Sequence, residues 1–297
     1  MNNFHTPVLL KEVIDSLRVE KGKKYIDATI GGGGHTKQIL KLGGMVLGMD
    51  VDQDSIDYLT EKIKNQKSKI KDWKRLTLVK ENFRDIDKIA SQEGFGKVSG
   101  ILFDLGVSSH QLETPERGFS FQKTGPLDMR MDKSLQVRAL DLIKILTKGE
   151  LYEIFHKLGE ESSAFALSKH IVRARSIKPI ETTDDLRKIM EEVRPQRFSR
   201  INALAKVFQA LRIVVNDELN ALKEALPKAL EVLGNQGRLL VISFHSLEDR
   251  IVKHNFIDFE KRSLGKIITK KPIRPSTEEI SKNKRSRSAK LRVFERN

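Results

Sequence analysis

The chain contains no cysteine, which excludes thiolate metal sites, disulfides and cysteine nucleophiles. Aromatic residues are sparse. One Trp and three Tyr among 297 residues argue against a broad stacking platform for single-stranded nucleic acid. No apolar run reaches the ~18 residues of a membrane span. The opening residues Met1-Asn2-Asn3-Phe4-His5-Thr6-Pro7 hold no apolar signal-peptide core. Together these absences predict a cytoplasmic protein with no membrane partner. Negative charge is also in deficit. Forty acidic residues face 55 basic ones, giving a net charge of +15 and a pI near 9.8. A basic excess of this size suits a polyanionic partner, of which nucleic acid is the common case. A Lys-rich solvated surface is the other reading.

What is present is a globular chain, 38% hydrophobic, with length for one large domain or two modest ones. Its most informative stretch is Asp27-Ala28-Thr29-Ile30-Gly31-Gly32-Gly33-Gly34-His35-Thr36. A strand-like run (residues 25–30) ends in four glycines and a helical pattern begins directly after. Strand, glycine loop and helix N-terminus together form a nucleotide-binding corner. The phosphate loop of an NTPase would need Gly-Lys-Ser/Thr at the loop's end, and His35-Thr36 stands there instead. A dinucleotide fingerprint needs a third glycine about where Lys37 lies.

S-adenosylmethionine fits the residues better. It carries no phosphate, and its ribose needs an acceptor at the end of the second strand. Asp50 lies there, about 20 residues beyond the glycine loop, the spacing of ribose recognition. Asp52 and Asp54 are nearby alternatives, or helix caps. Phe83 follows the third strand and either walls the adenine or packs in the core. Asp104 closes the fourth strand, after Ile101-Leu102-Phe103, as a crevice carboxylate, an N-cap or an ion-pair partner.

The pattern predicts strands at residues 25–30, 45–50, 76–79 and 98–104, with helices over 36–42 and from 55 to about 69. Such βα alternation implies a parallel sheet covered by helices. Residues 111–138 read as an ordered loop. Helices are predicted over 140–148, 149–158, 162–176, 183–193 and 201–215. Strand character returns at 237–244, 266–269 and 290–294, after a helix over 217–233 that Pro227 divides or kinks, with another helix over 247–259. The expected organisation is an α/β core in two parts, residues 1–110 and 216–297, interrupted by a helical insertion over 111–215.

Longer motifs strengthen this reading. They are Phe4-His5-Thr6-Pro7-Val8-Leu9-Leu10, the glycine loop, Asp104-Leu105-Gly106-Val107-Ser108-Ser109, Arg117-Gly118-Phe119-Ser120-Phe121, Gly125-Pro126-Leu127-Asp128-Met129-Arg130-Met131-Asp132, Phe208-Gln209-Ala210-Leu211-Arg212-Ile213, Ser243-Phe244-His245-Ser246-Leu247-Glu248-Asp249-Arg250 and Arg285-Ser286-Arg287-Ser288-Ala289-Lys290-Leu291-Arg292. From end to end the chain resembles the bacterial 16S ribosomal RNA cytosine-N4 methyltransferases, the RsmH (MraW) family. The resemblance implies a Rossmann-like class I methyltransferase sheet, doubly wound and mostly parallel, with a helical insertion that helps recognise RNA. It implies S-adenosylmethionine as cofactor, and methylation of a cytidine in the decoding region of 16S rRNA, within the small ribosomal subunit. It implies cofactor contacts by Gly33, Gly34, His35, Asp50, Phe83, Asp104 and Gln111. The chain departs from the family pattern at His110, Glu161-Ser162-Ser163, Asn202-Ala203-Leu204-Ala205-Lys206 and Asn283-Lys284.

The chemistry needs no metal. An exocyclic amine attacks a sulfonium-activated methyl in line, and the enzyme holds the two in near-attack geometry. Asp104 is the candidate catalytic residue, touching cofactor, target amine or both. His245, just beyond the strand at 237–244, is a base contact or a structural histidine. Asp128, Arg130 and Asp132 form an ionic lid or touch the flipped base. The basic stretch 282–290 and Arg173, Arg175, Arg194, Arg197 and Arg200 are candidate phosphate contacts. The competing readings are a methyltransferase for another substrate and a non-catalytic ribosome-assembly factor that binds RNA. Monomer and homodimer both fit.

Overall fold

The computed structural model describes residues 7–64 and 71–297. Seven strands form one sheet: β1 (Lys24–Asp27), β2 (Met45–Asp50), β3 (Leu76–Lys80), β4 (Val98–Asp104), β5 (Leu233–Ser243), β6 (Gly265–Ile267) and β7 (Lys290–Arg296). Their order is β3-β2-β1-β4-β5-β7-β6. The first five run parallel. β7 is antiparallel to both neighbours. The expected Rossmann-like, doubly wound and mostly parallel sheet is therefore present. The chain builds outward from β1 through β2 to β3, then returns to place β4 and β5 on the other side. Strand order thus reverses between β1 and β4, and a ligand crevice opens at such a switch point, outside the carboxyl ends of the strands.

Alternation along β4 shows why the sheet is covered on both faces. Ile101 and Phe103 enter one apolar cluster and Leu102 the other, as successive strand residues must. The first cluster takes Ile86 and Ile89 from the helix Ile86–Gln92, Leu222 and Leu226 from the helix Glu218–Val232, and Phe256 and Phe259 from the helix Ser246–Lys261. The second takes Val13 and Leu17 from the helix Leu10–Leu17 and Ile39 and Leu40 from the helix Gly34–Lys41.

The chain divides into two compact units, Met1–Ser108 with Leu219–Asn297, and Ser109–Glu218. The second is helical: Ala139–Ile145, Lys148–Glu153, Ala164–Ile177, Thr183–Val193 and Arg197–Asn216. Thr147 with Glu150 and Thr182 with Asp185 form reciprocal capping boxes that start two of these helices. The loop before them is braced by an ion pair and arginine hydrogen bonds. Arg130 grips both carboxylate oxygens of Asp128 at 2.8 Å, and Arg117 donates to the carbonyls of Arg130 and Met131. Within this unit the Asp128–Arg130 pair is a structural brace.

Several expectations shift. β1 stops at Asp27, because the next residues turn into the glycine loop. The helix expected over 149–158 ends at Glu153 and gives way to a π turn at Ile154–Leu158. Pro227 does not divide its helix, whose buried face of Ala221, Leu222, Ala225, Leu226, Ala229 and Leu230 holds Glu218–Val232 as one element. The helix Gln53–Lys64 begins earlier than expected, and its expected continuation to residue 69 lies outside the described residues. Among the described residues, no helix is long and apolar enough to cross a membrane.

Candidate active site

The site is built at the carboxyl ends of β1, β2 and β4, all within the sheet unit. Asp50 ends β2 and ties two segments together. Its Oδ2 accepts from Gly31 N and its Oδ1 from Asp52 N, each at 2.9 Å. One carboxylate thereby fixes the glycine loop and the approach to the next helix. Asp52 serves that helix instead, accepting from Asp54 N at 3.1 Å. Burial pushes the Asp50 carboxyl up to about 6, against the two amide hydrogen bonds that favour its charge. A carboxylate in that state gains from further donors.

The glycines of the loop differ in purpose. Gly33 has φ +72°, and a Cβ there would stand 3.0 Å from Leu59 Cδ2. A Cβ on Gly34 would stand 2.9 Å from the Pro7 ring. Both are required by packing around the helix N-terminus. Gly31, at φ +48°, would meet nothing nearer than Thr29 O at 3.9 Å. Its backbone faces open space beside Asp50, which leaves room for a ligand to approach the main chain.

His35 is buried, and its Nε2 lies 2.9 Å from the Val8 carbonyl. A carbonyl only accepts, so Nε2 carries a proton. Nδ1 then faces Asp104 Oδ2 at 3.7 Å. Asp104 is held from behind, its N–H donating to Thr29 Oγ1 at 2.7 Å. Asp27, which the sequence reading did not single out, completes the group. It is 2% exposed and accepts from the Thr36 hydroxyl at 2.6 Å. Burial raises its carboxyl, and nearby Asp104 adds to the rise, while His35 and Thr36 oppose it. The signal was available: Asp27 ends an apolar strand, as Asp104 does.

The structure thus brings Gly31, Gly33, Gly34, His35, Asp50 and Asp104 to one edge of the sheet. Phe83 follows β3 in a 3₁₀ turn opened by Asn82. It is partly buried and meets Phe103 edge-on at 5.4 Å, so it joins core and surface. Gln111 is buried within the helical unit. His245 is an N-cap. It forms a reciprocal box with Glu248, which accepts from Phe244 N at 2.8 Å, and the two side chains pair at 3.1 Å.

The basic candidates also separate. Arg194 donates to Glu161, Ser162 and Ser163, so the departure at 161–163 supplies its structural partners. Arg175 donates to the Ile143 carbonyl and Arg200 to the Pro195 carbonyl. Arg173 and Arg197 are exposed. In the 282–290 stretch Lys290 pairs with Asp249 at 3.0 Å, while Lys284 and Arg287 are exposed.

The profile of the MraW methylase family matches residues 2–297. The chain belongs to that family. It is 47% identical to the ribosomal RNA small subunit methyltransferase H of Persephonella marina, over 98% of this chain and 99% of that protein. It is 44% identical to the protein of the same name from Carboxydothermus hydrogenoformans, over 100% and 99%. For the one from Lachnospira eligens the identity is 42%, over 98% and 97%. In this methylase the sulfonium donor's sugar end fits what Asp50 and the open backbone at Gly31 offer: a desolvated acceptor beside main chain with no side chain over it.

Proposed function

We propose that this methylase transfers a methyl group from S-adenosylmethionine to the exocyclic N4 of a cytidine in the decoding region of 16S rRNA. The substrate is the rRNA within the small ribosomal subunit, in the cytoplasm. The observation that carries the proposal is the Asp27–His35–Asp104 group at the carboxyl ends of β1 and β4, in a chain whose relatives are named for ribosomal RNA small subunit methylation.

When bound, the cofactor supplies a methyl activated by a sulfonium. Asp50 accepts from the ribose hydroxyls, and Gly33, Gly34 and His35 line the loop. Phe83 walls the adenine, and Asp104 completes the cofactor contacts within the sheet unit. Asp104 also accepts an N–H of the target amine. Cytosine N4 is a weak nucleophile because its lone pair is delocalised into the ring. An acceptor at its hydrogen favours a less planar, more nucleophilic nitrogen, and the proton displaced on alkylation has a carboxylate beside it. His35, fixed by Val8, stands beside the Asp104 carboxylate, and the Thr29 hydroxyl holds the Asp104 main chain. The target base must leave its stack to reach this group.

Methyl transfer to purified small subunits, free 16S rRNA and ribosomal protein, followed by mapping of the modified nucleotide, tests the proposal. Label on a single cytidine N4, lost in Asp104→Ala with the fold intact, is expected. Label in protein or on another nucleotide, or an active Asp104→Ala enzyme, would overturn it.

A further inference from the structure

One surface of the helical unit is built differently from the rest of the chain. Among the large hydrophobic side chains exposed in the described residues, Phe165 alone is aromatic, at 59% exposure. It does not stand by itself. Tyr152 meets it edge-on with ring centroids 6.3 Å apart, and His156 stacks on Tyr152 at 5.3 Å with planes 8° apart. Lys148 Nζ lies 5.0 Å from the Phe165 ring centre. His156 stands in the π turn Ile154–Leu158, an irregularity frequent at functional sites.

The helix carrying Phe165, Ala164–Ile177, contains Lys169, Arg173 and Arg175 and no acidic residue. Phe165, Lys169 and Arg173 are all exposed. Spaced four apart, they form one stripe, with steps of about 6 Å along the axis. Of the acids that precede the helix, Glu150 sits in its capping box with Thr147, Glu153 in an ion pair with Lys157, and Glu161 is held by Ser163 and Arg194, while Glu160 is exposed.

An aromatic cluster followed by a row of cations suits single-stranded nucleic acid, whose bases stack while its phosphates follow the charges. We propose that this surface is a docking strip for a single-stranded segment of RNA. One unpaired base stacks on the Phe165–Tyr152 cluster, and the adjoining phosphates lie on Lys169 and Arg173. The inference rests on the proposed RNA substrate and adds a second set of residues that grip RNA, distinct from those proposed to hold the methylated base. A second copy of this chain, the other kind of occupant, would have to bury the row of cations that the helix displays.

The test is fluorescence anisotropy with a short labelled single-stranded RNA and with the same sequence as a hairpin duplex, at several salt concentrations. Phe165→Ala should weaken single-strand binding about five- to fifty-fold and leave the slope of log affinity against log salt unchanged. Phe165→Trp should restore affinity. Lys169→Ala with Arg173→Ala should lower the single-strand slope by about 1.4, roughly 0.7 per lost phosphate contact. Affinity for the demethylated cofactor should not move. Wild-type RNA affinity in Phe165→Ala, equal losses for strand and duplex, or a change in self-association without a change in RNA affinity would each overturn the inference. Methyl transfer by the wild-type protein is read separately. If small subunits are methylated while Phe165→Ala binds RNA normally, the strip fails and the proposed reaction stands.

Discussion

Replacing Asp50 by Asn tests the core of the site. The carboxylate holds two backbone amides, and its carboxyl is raised from an ordinary 3.8 to about 6. The folded protein therefore binds a proton there more readily than the unfolded chain does. Stability from this group is fullest below pH 3.8 and declines as pH rises through about 6. At neutral pH the ionised group costs the empty protein on the order of 3 kcal/mol. Donors from a ribose diol offset that cost, so ligand binding should favour the ionised form. With a pKa near 6, about a tenth of the carboxylate is ionised at pH 5 and nearly all of it at pH 7.5. Calorimetric titration of the wild-type protein with S-adenosylhomocysteine should show affinity falling about tenfold from pH 7.5 to 5. Asn keeps the shape but loses the charge and offers one acceptor where two amides wait. At pH 7.5 its affinity should be about 10- to 100-fold weaker, from lost charged hydrogen bonds of ~1.5–3 kcal/mol. The pH dependence should flatten, while resistance to urea stays within about 1–2 kcal/mol of wild type. A flat wild-type profile, or an Asn variant that binds as tightly, would refute the reasoning. Any pH dependence that persists in the variant belongs to another group.

Gly33→Ala forces a side chain onto a φ of +72° and against Leu59; urea unfolding should show a loss of about 1–3 kcal/mol, and no loss would deny the strain. Glu161 is buried, which alone would raise its carboxyl, but hydrogen bonds from Ser163 and the charge of Arg194 hold it below its ordinary 4.5. Its contribution is present above that value and is lost as pH falls below it. Glu161→Gln should therefore destabilise the protein by about 2–4 kcal/mol at pH 7 and by much less at pH 3, as read by chemical denaturation. Affinity for RNA should fall steeply with salt, and Lys284→Ala with Arg287→Ala should reduce the salt slope by about two without altering which nucleotide is methylated; binding that ignores salt would contradict the phosphate assignment.

The features legible in the sequence were those carried by neighbours in the chain. The glycine loop, the apolar strands and the spacing from Gly31 to Asp50 are local patterns, and the hydrogen bond from Gly31 to Asp50 realises that spacing. The hidden features are contacts between distant segments. Val8 orients His35 across 27 positions, and Arg194 reaches Glu161 across 33; neither leaves a periodic trace. The helix Leu10–Leu17 went unexpected although its apolar and polar faces are well separated, because no side-chain cap marks its start. The count of aromatics argued against a broad stacking platform. A count is blind to position, and it could not show that Tyr152, His156 and Phe165 gather at one exposed spot.

The place of β7 bears on how the molecule comes into being. It is the last strand in chain order, yet it lies between β5 and β6, with Leu291, Val293 and Phe294 wholly enclosed. The helical unit is one continuous stretch of chain, whereas the sheet unit is assembled from two stretches separated by it. During synthesis the helices can settle early, while β5 keeps an open edge until residues 290–296 emerge. A nascent copy therefore cannot finish its own sheet while that strand is still inside the ribosome that makes it. Completion waits until residues 290–296 have emerged, and the interval before it, when β5 is bare, is when this chain is most exposed to mispairing with another.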